Sequence, residues 1–528
     1  MNERVPLYKK LEALQAEEVY PFHMPGHKRR GMEEFLRSAG SGDASDFRSV
    51  FDRILQMDIT EVDPFDDLNH PTGELKDAME RCAKFYGAQE TFFLVNGSTS
   101  GICAAINTVC RPGDEILMAR NSHISVYRQV MHGQLRPAYL YPQELKVGGV
   151  LFHGAITSQE LERGLSEHPG AKAVLVVSPT YDGVISDIAA LAELTHKHNK
   201  ILIVDEAHGA HLHYIRPELS AVRAGADLVI QSVHKTLPAM TQTALLHRCS
   251  DRVDAKRLRD AVGYFTSTSP SYILVASVLR CMTFMEKHGN AAMGAFYGRL
   301  AAFYKKCEDL SAVKLFGPFW ASGEPGDLHK NGWCKDPSKI VILCPGRGRE
   351  VAERLRDAKI ETESSSPDMV LALAGMFDSE EGFERLYEAL AAIPVRECVE
   401  RSKGTPDRAI FGCTEDKTGN VASNVTVNVG SGYEIVATDV AEASRAVQHL
   451  MPYEVYYQKA EAYSESALAE AEGRVSVDTV YVYPPGIPQI VCGEVISREM
   501  IDKLKAFEAA GFTLRGLGEQ DRIRVLKK

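Results

Sequence analysis

The feature that most constrains this chain is a pattern repeated between about residues 90 and 250. A short apolar run leads into small and polar residues, and those lead into a helical segment. The runs are Thr91 to Val95, Glu115 to Ala119, Ala173 to Val177, Ile201 to Asp205, Ala226 to Gln231 and Thr243 to His247. Stretches such as Gly73 to Gly87 and Ile188 to His198 carry helical spacing. Strands that are apolar on both faces must be covered on both faces, and helices between them supply the cover. The pattern therefore predicts an α/β fold with a mainly parallel sheet. No repeat of fixed period is present.

Beyond about residue 300 the spacing changes. Gly317 to Asp336 is rich in Gly, Trp and Pro turns, and Lys339 to Leu343 is a strand candidate. Helical spacing returns at Val351 to Ala358, at Glu381 to Ala392 and in a run near 455 to 472. A smaller α+β portion is expected there. The expected layout is an N-terminal arm over 1–60, a large domain over 61–300, a small α+β domain over 301–400 and a C-terminal domain over 401–528.

In open α/β sheets, ligands bind beyond the carboxyl ends of the strands. The residues just past each run are therefore informative. After Val95 come Asn96-Gly97-Ser98-Thr99-Ser100-Gly101 and a helix start, a natural anion site or simply a capped helix. After Ala119 come Asn121-Ser122-His123, and after Val177 come Ser178-Pro179-Thr180. After Val204 come Asp205-Glu206-Ala207-His208. A nucleotide-hydrolysing helicase with such a motif would also need a Gly-Lys phosphate loop, and the chain has no Gly-Lys dipeptide. A strand-end Asp needs a cationic partner, which a protonated ring nitrogen or a nearby Lys or Arg can provide. After Gln231 come Ser232-Val233-His234-Lys235, where the lysine is either an imine-forming amine or an ordinary loop residue.

Each signal is weak alone. Together they comprise a phosphate cradle, a flat residue for stacking, a carboxylate for a pyridinium and an amine for an imine. That set predicts a pyridoxal-phosphate enzyme of the aspartate-aminotransferase fold class, fold type I.

Composition narrows the alternatives. Hydrophobic residues are 45% and the net charge is -11, with no basic stripe, so nucleic-acid binding is not expected. Eleven cysteines form no C-x-x-C pair, which argues against a zinc ribbon or a disulfide framework and suits a reducing cytoplasm. His208, His211 and His213 lack a suitably spaced fourth ligand, so no metal is expected. The start Met1-Asn2-Glu3-Arg4 has no apolar signal region, and no apolar run approaches the ~18 residues of a membrane span.

Several segments resemble the Orn/Lys/Arg decarboxylase family. They are Phe22 to Lys28, Asp58-Ile59-Thr60-Glu61, Asn96 to Ser100, Asp205 to Gly209, Ser232 to Lys235, Tyr483 to Pro488 and Gly493-Glu494. The chain is similar to the short form, without the receiver-like wing domain at the N-terminus. The resemblance implies a lyase that decarboxylates arginine, lysine or ornithine to the corresponding amine in polyamine biosynthesis. Another fold-type-I reaction, such as transamination, is the alternative.

The resemblance also implies roles. Lys235 would form the Schiff base, Asp205 would pair with the pyridine nitrogen, His123 would stack on the ring and Ala207 would pack on its other face. Ser98, Thr99, Ser232 and His234 would hold the phosphate, and Ser100 would belong to the cofactor-binding set. Thr180 and His208 would sit beside the cofactor, with Lys235 or His208 as proton donor. Glu494, Glu363 and Asp66 are the candidates for the substrate's distal cation. A homodimer or larger homo-oligomer is implied.

Three features depart from the family pattern. Asn121-Ser122-His123-Ile124 stands where a Cys before the His and a Lys after it are expected. Cys492 stands where proline is common, and residues 404–448 match nothing recognisable.

Overall fold

A computed structural model describes residues 7–16, 50–62, 65–317, 333–395, 425–429, 433–440, 445–483, 486–509 and 512–527. The Phe22 to Lys28 motif and Pro484-Pro485 lie outside them, as does most of 404–448. Backbone contacts divide the chain into two compact units, 1–108 with 205–291, and 109–204 with 292–528. The largest sheet is mixed and has seven strands.

In the first unit, the helix Glu74–Tyr86 ends on Gly87, whose φ of 82° is the left-handed cap that glycine adopts without strain. Its start is gathered by Asp66, whose carboxylate accepts the N–H groups of Asp67, Thr72, Gly73 and Leu75 at 3.1, 3.0, 2.9 and 3.0 Å. Strand Glu90–Leu94 pairs antiparallel with Ala244–Arg248, which pairs antiparallel with Leu228–Gln231. Leu94, Leu228, Val229, Ile230, Leu245 and Leu246 are buried, as continuous apolar runs require.

In the second unit, Glu115–Ala119 pairs in parallel with both Arg136–Leu140 and Ala173–Val177. A hairpin, Glu144–Val147 and Val150–His153, turns at Gly148-Gly149, both with positive φ, and strand Tyr433–Thr438 extends it. Strand Lys339–Leu343 lies between Lys314–Phe316 and Met369–Leu373 in an antiparallel sheet. Helices Gly348–Asp357 and Glu380–Ala391 correspond to the expected ones. Near the C-terminus, strands Val480–Val482 and Ile487–Ile490 and helix Arg498–Ala509 enclose a core of Leu468, Val480, Ile490, Ile501, Leu504 and Val525.

The helical run expected near 455 to 472 is corrected. Only Pro452–Tyr456 is α-helical there, and Tyr463–Ala467 is a strand paired residue by residue with Arg522–Leu526. Ile523 and Val525 are fully buried on that partner. Tertiary pairing of an alternating segment has overridden a weak helical spacing. Similarly, Trp333–Lys335, expected within a turn region, is a strand paired with Val184–Ser186.

Candidate active site

The first unit carries most of the expected residues. The turn after strand Glu90–Leu94 opens helix Gly97–Val109 at Gly97, whose φ is 76°. Gly97 N–H donates to the Gln242 carbonyl at 2.9 Å, and a Cβ at Gly97 would meet nothing within 4 Å, so the space above this helix start is open. Ser98 is half-buried and Thr99 is exposed. The Ser100 hydroxyl turns inward and donates to the Gly97 carbonyl at 2.8 Å.

Ser232 directly follows strand Leu228–Gln231. It is fully buried, yet its Oγ has no hydrogen-bond partner. A buried hydroxyl left in that state is costly unless a ligand completes it. Two residues on, His234 donates from Nδ1 to the Thr243 carbonyl at 2.8 Å, and burial lowers its pKa. The neutral tautomer this defines carries its acceptor on Nε2.

Lys235 lies on the short helix Val233–Thr236, with Nζ 3.1 Å from Nε2 of the buried His208. Asp205, at the end of strand Ile201–Asp205, is 3% exposed, and its Oδ1 accepts the Ala207 N–H at 3.1 Å. Burial pushes the Asp205 carboxyl up, against the pull of the Lys235 charge and the Ala207 N–H. Ala207 is buried. The unit thus brings Asp205, Ala207, His208 and Lys235 together.

The second unit carries His123 and Thr180. His123 caps helix Ile124–His132, its Nδ1 accepting from the Ser125 N–H at 3.2 Å and the Ser125 hydroxyl at 2.8 Å. Thr180 is buried in a turn, and its Oγ1 accepts the Val184 N–H at 3.0 Å.

The three acids expected to meet a distal cation are otherwise engaged. Asp66 uses both carboxylate oxygens on backbone N–H groups. Glu494 is buried against Arg120 at 3.1 Å, and Glu363 accepts the Tyr181 hydroxyl at 3.0 Å.

A buried chain behind Asp205 has no counterpart among the sequence expectations. Glu206 accepts from the Ala221 N–H at 2.6 Å, Gln231 Nε2 at 2.5 Å and the Ser220 hydroxyl at 3.2 Å. Gln231 Oε1 in turn accepts from His247 Nε2 at 3.2 Å, and His247 Nδ1 lies 2.8 Å from the Thr91 hydroxyl. Burial pushes Glu206 up to about 8 and His247 down to about 3. The sequence signal for it is an acid and a glutamine at the ends of two apolar runs. His213, by contrast, lies tilted against Phe85 and Tyr86 at centroid distances of 4.8 and 4.7 Å.

Residues 5–357 match the Orn/Lys/Arg decarboxylase major-domain model and 437–520 the C-terminal-domain model of the same family. The chain is 30% identical over 533 residues to an arginine decarboxylase of Bacillus subtilis, covering 99% of this chain and 98% of the relative. It is 24% identical to the lysine decarboxylase LdcA of Pseudomonas aeruginosa, over 98% of this chain and 78% of the relative. The solved Escherichia coli constitutive lysine decarboxylase superposes with a TM-score of 0.77 at 20% identity, over 99% of this chain and 82% of that one, which shows the shared fold. On the family match and the near full-length relatives, this chain belongs to the Orn/Lys/Arg decarboxylase family and is an amino-acid decarboxylase acting on a basic amino acid.

Proposed function

We propose that the chain converts L-arginine to its amine and carbon dioxide, using pyridoxal 5'-phosphate bound through Lys235 Nζ. The observation that carries this reading is the Lys235–His208 contact of 3.1 Å beside the buried carboxylate of Asp205. The residues present fit the cofactor. An unpartnered buried hydroxyl at Ser232 and open space at Gly97 suit a phosphate, and a carboxylate destabilised by burial at Asp205 suits a cationic ring nitrogen. When bound, the cofactor accepts the electron pair left at Cα as carbon dioxide departs.

The chain's own residues would do the rest. Asp205 holds the ring nitrogen protonated. Ser98, Thr99, Ser232 and His234 would hold the phosphate, with Ser100 and Thr180 alongside. His123 would stack on the ring and Ala207 would pack on its other face. His208 Nε2 accepts a proton from Lys235 Nζ and so frees the amine. The pair then returns a proton to Cα.

Arginine is favoured over lysine because the relative at 30% identity is an arginine decarboxylase, while LdcA, a lysine decarboxylase, stands at 24%. The separate match over 437–520 supports a C-terminal module, and the layout proposed is an arm 1–60, a large domain 61–300, a small domain 301–400 and a C-terminal domain 401–528. A polyamine-forming role, a cytoplasmic setting and at least a homodimer complete the proposal. Among the described residues no helix is long and apolar enough to cross a membrane, and nine cysteines are free thiols.

Incubation with arginine, lysine and ornithine, assaying carbon dioxide, amine and keto-acid, tests the reading. Amine and carbon dioxide formed fastest from arginine support it. Faster turnover of lysine overturns the substrate, and keto-acid without carbon dioxide overturns the reaction.

A further inference from the structure

Arg120 directly follows strand Glu115–Ala119 and precedes His123 by three residues. Its side chain is 12% exposed, and both terminal nitrogens of its guanidinium donate twice. Nη1 donates to the Pro488 carbonyl at 2.8 Å and to the Tyr127 hydroxyl at 3.1 Å. Nη2 donates to Glu494 Oε2 at 3.1 Å and to the Gln489 carbonyl at 3.4 Å. Tyr127 lies on the helix that His123 caps, and its hydroxyl donates back to the Arg120 carbonyl at 2.6 Å. Glu494 is fully buried, and the Val491 N–H also reaches its Oε2, at 2.8 Å.

A second tie lies on the other side of His123. The Ile124 N–H donates to the Gly486 carbonyl at 3.0 Å. Gly486 has a φ of +83°, and a Cβ there would stand 3.3 Å from Cδ2 and Nε2 of the His123 ring. The imidazole therefore rests against a backbone position that has no side chain.

We infer that Glu494, Arg120 and Gly486 are positioning residues that set the plane of the His123 imidazole, so that the C-terminal segment 486–494 orients the ring that faces the cofactor. A planar guanidinium with several fixed acceptors holds direction as well as distance, which a lysine in its place would not do. The buried pair suits this role better than one of raw stability, since apolar replacements of such pairs are often at least as stable. Gly486, Pro488 and Glu494, part of the sequence motif near the C-terminus, thereby gain a task apart from substrate binding.

The inference rests on His123 stacking against the cofactor, and a double-mutant cycle separates the two claims. The measurement is the rate of cofactor release from the holoenzyme, with visible circular dichroism of the bound cofactor as a second readout. His123→Ala is expected to speed release and weaken the dichroic band. Glu494→Gln is expected to speed release about tenfold with His123 present and to add nothing in the His123→Ala background. If His123→Ala leaves release and dichroism unchanged, the stacking reading itself falls. If Glu494→Gln changes nothing, or acts equally in both backgrounds, the positioning role is overturned while the stacking reading stands. Should Glu494→Gln fail to fold, Gly486→Ala replaces it in the same cycle with the same expectations, because its methyl group presses on the imidazole.

Discussion

Two regions of the molecule each hold a buried acid close to the end of an apolar strand and near a cation, yet the partners of that cation differ. Around Arg120, the guanidinium donates to Glu494, Tyr127 and the carbonyls of Pro488 and Gln489. The guanidinium is spent on partners within the fold, and Glu494 meets it through Oε2, while its Oε1 is left without a partner. Around Lys235, the buried Asp205 accepts a backbone N–H, Ser232 Oγ has no partner, and the lysine amine faces a histidine. There the set is incomplete in the way a ligand would complete. Burial makes both acids costly, and the group that offsets that cost distinguishes a structural clamp from a reactive site.

Substitutions at the reactive site sharpen this contrast. Lys235→Ala should abolish both turnover and the visible absorbance of the bound cofactor, measured by carbon dioxide release and spectrophotometry. A variant that keeps either would remove the distinction between the regions. Asp205→Ala should lower kcat by at least ~10²-fold, since charge aimed at developing charge is usually a large contribution. Near-normal turnover would place Asp205 with the structural acids instead.

Ser232→Ala should weaken cofactor affinity about tenfold, the value of one hydrogen bond to a charged acceptor. Its melting temperature without cofactor should not fall, because Ser232 Oγ bonds to nothing in the protein and its removal relieves an unmet buried hydroxyl. A drop in the cofactor-free melting temperature would show a protein contact for that hydroxyl.

The smallest effect concerns the chain behind Asp205. Glu206 is pushed up to about 8 from 4.5 by burial, so its neutral form is favoured in the fold. Its contribution to stability is whole below about 4.5 and is lost as pH rises through about 8. The melting temperature of the wild type should therefore fall relative to Glu206→Gln from about pH 5 to about 8, then run parallel. A constant difference across that range would show Glu206 to be ionised throughout.

Much of the central architecture is legible in the sequence because the buried strands are continuous apolar runs. Glu115–Ala119, Ala173–Val177 and Ile201–Asp205 fall where the runs fall. The residues after each run are legible too, since chemistry in such sheets sits at strand ends. The features that stay hidden depend on partners far along the chain. Tyr463–Ala467 becomes a strand only through Arg522–Leu526, which local spacing cannot report. Arg120 is ordinary in sequence, and its meaning comes from carbonyls more than 360 residues away. An acid in a matched motif invites a substrate-binding reading of Glu494, whereas its buried arginine is invisible to local sequence. The hairpin at Gly148-Gly149 does carry a local signal, two glycines between β-prone residues.

The hydrogen bond from Ile124 to the Gly486 carbonyl bears on how this protein can be re-engineered. Grafting a foreign tail onto the core would bring a different backing to the histidine, even if every residue beside Lys235 were kept. Chimeras among relatives should therefore inherit the tail and the segment from Arg120 to Tyr127 as one exchangeable block.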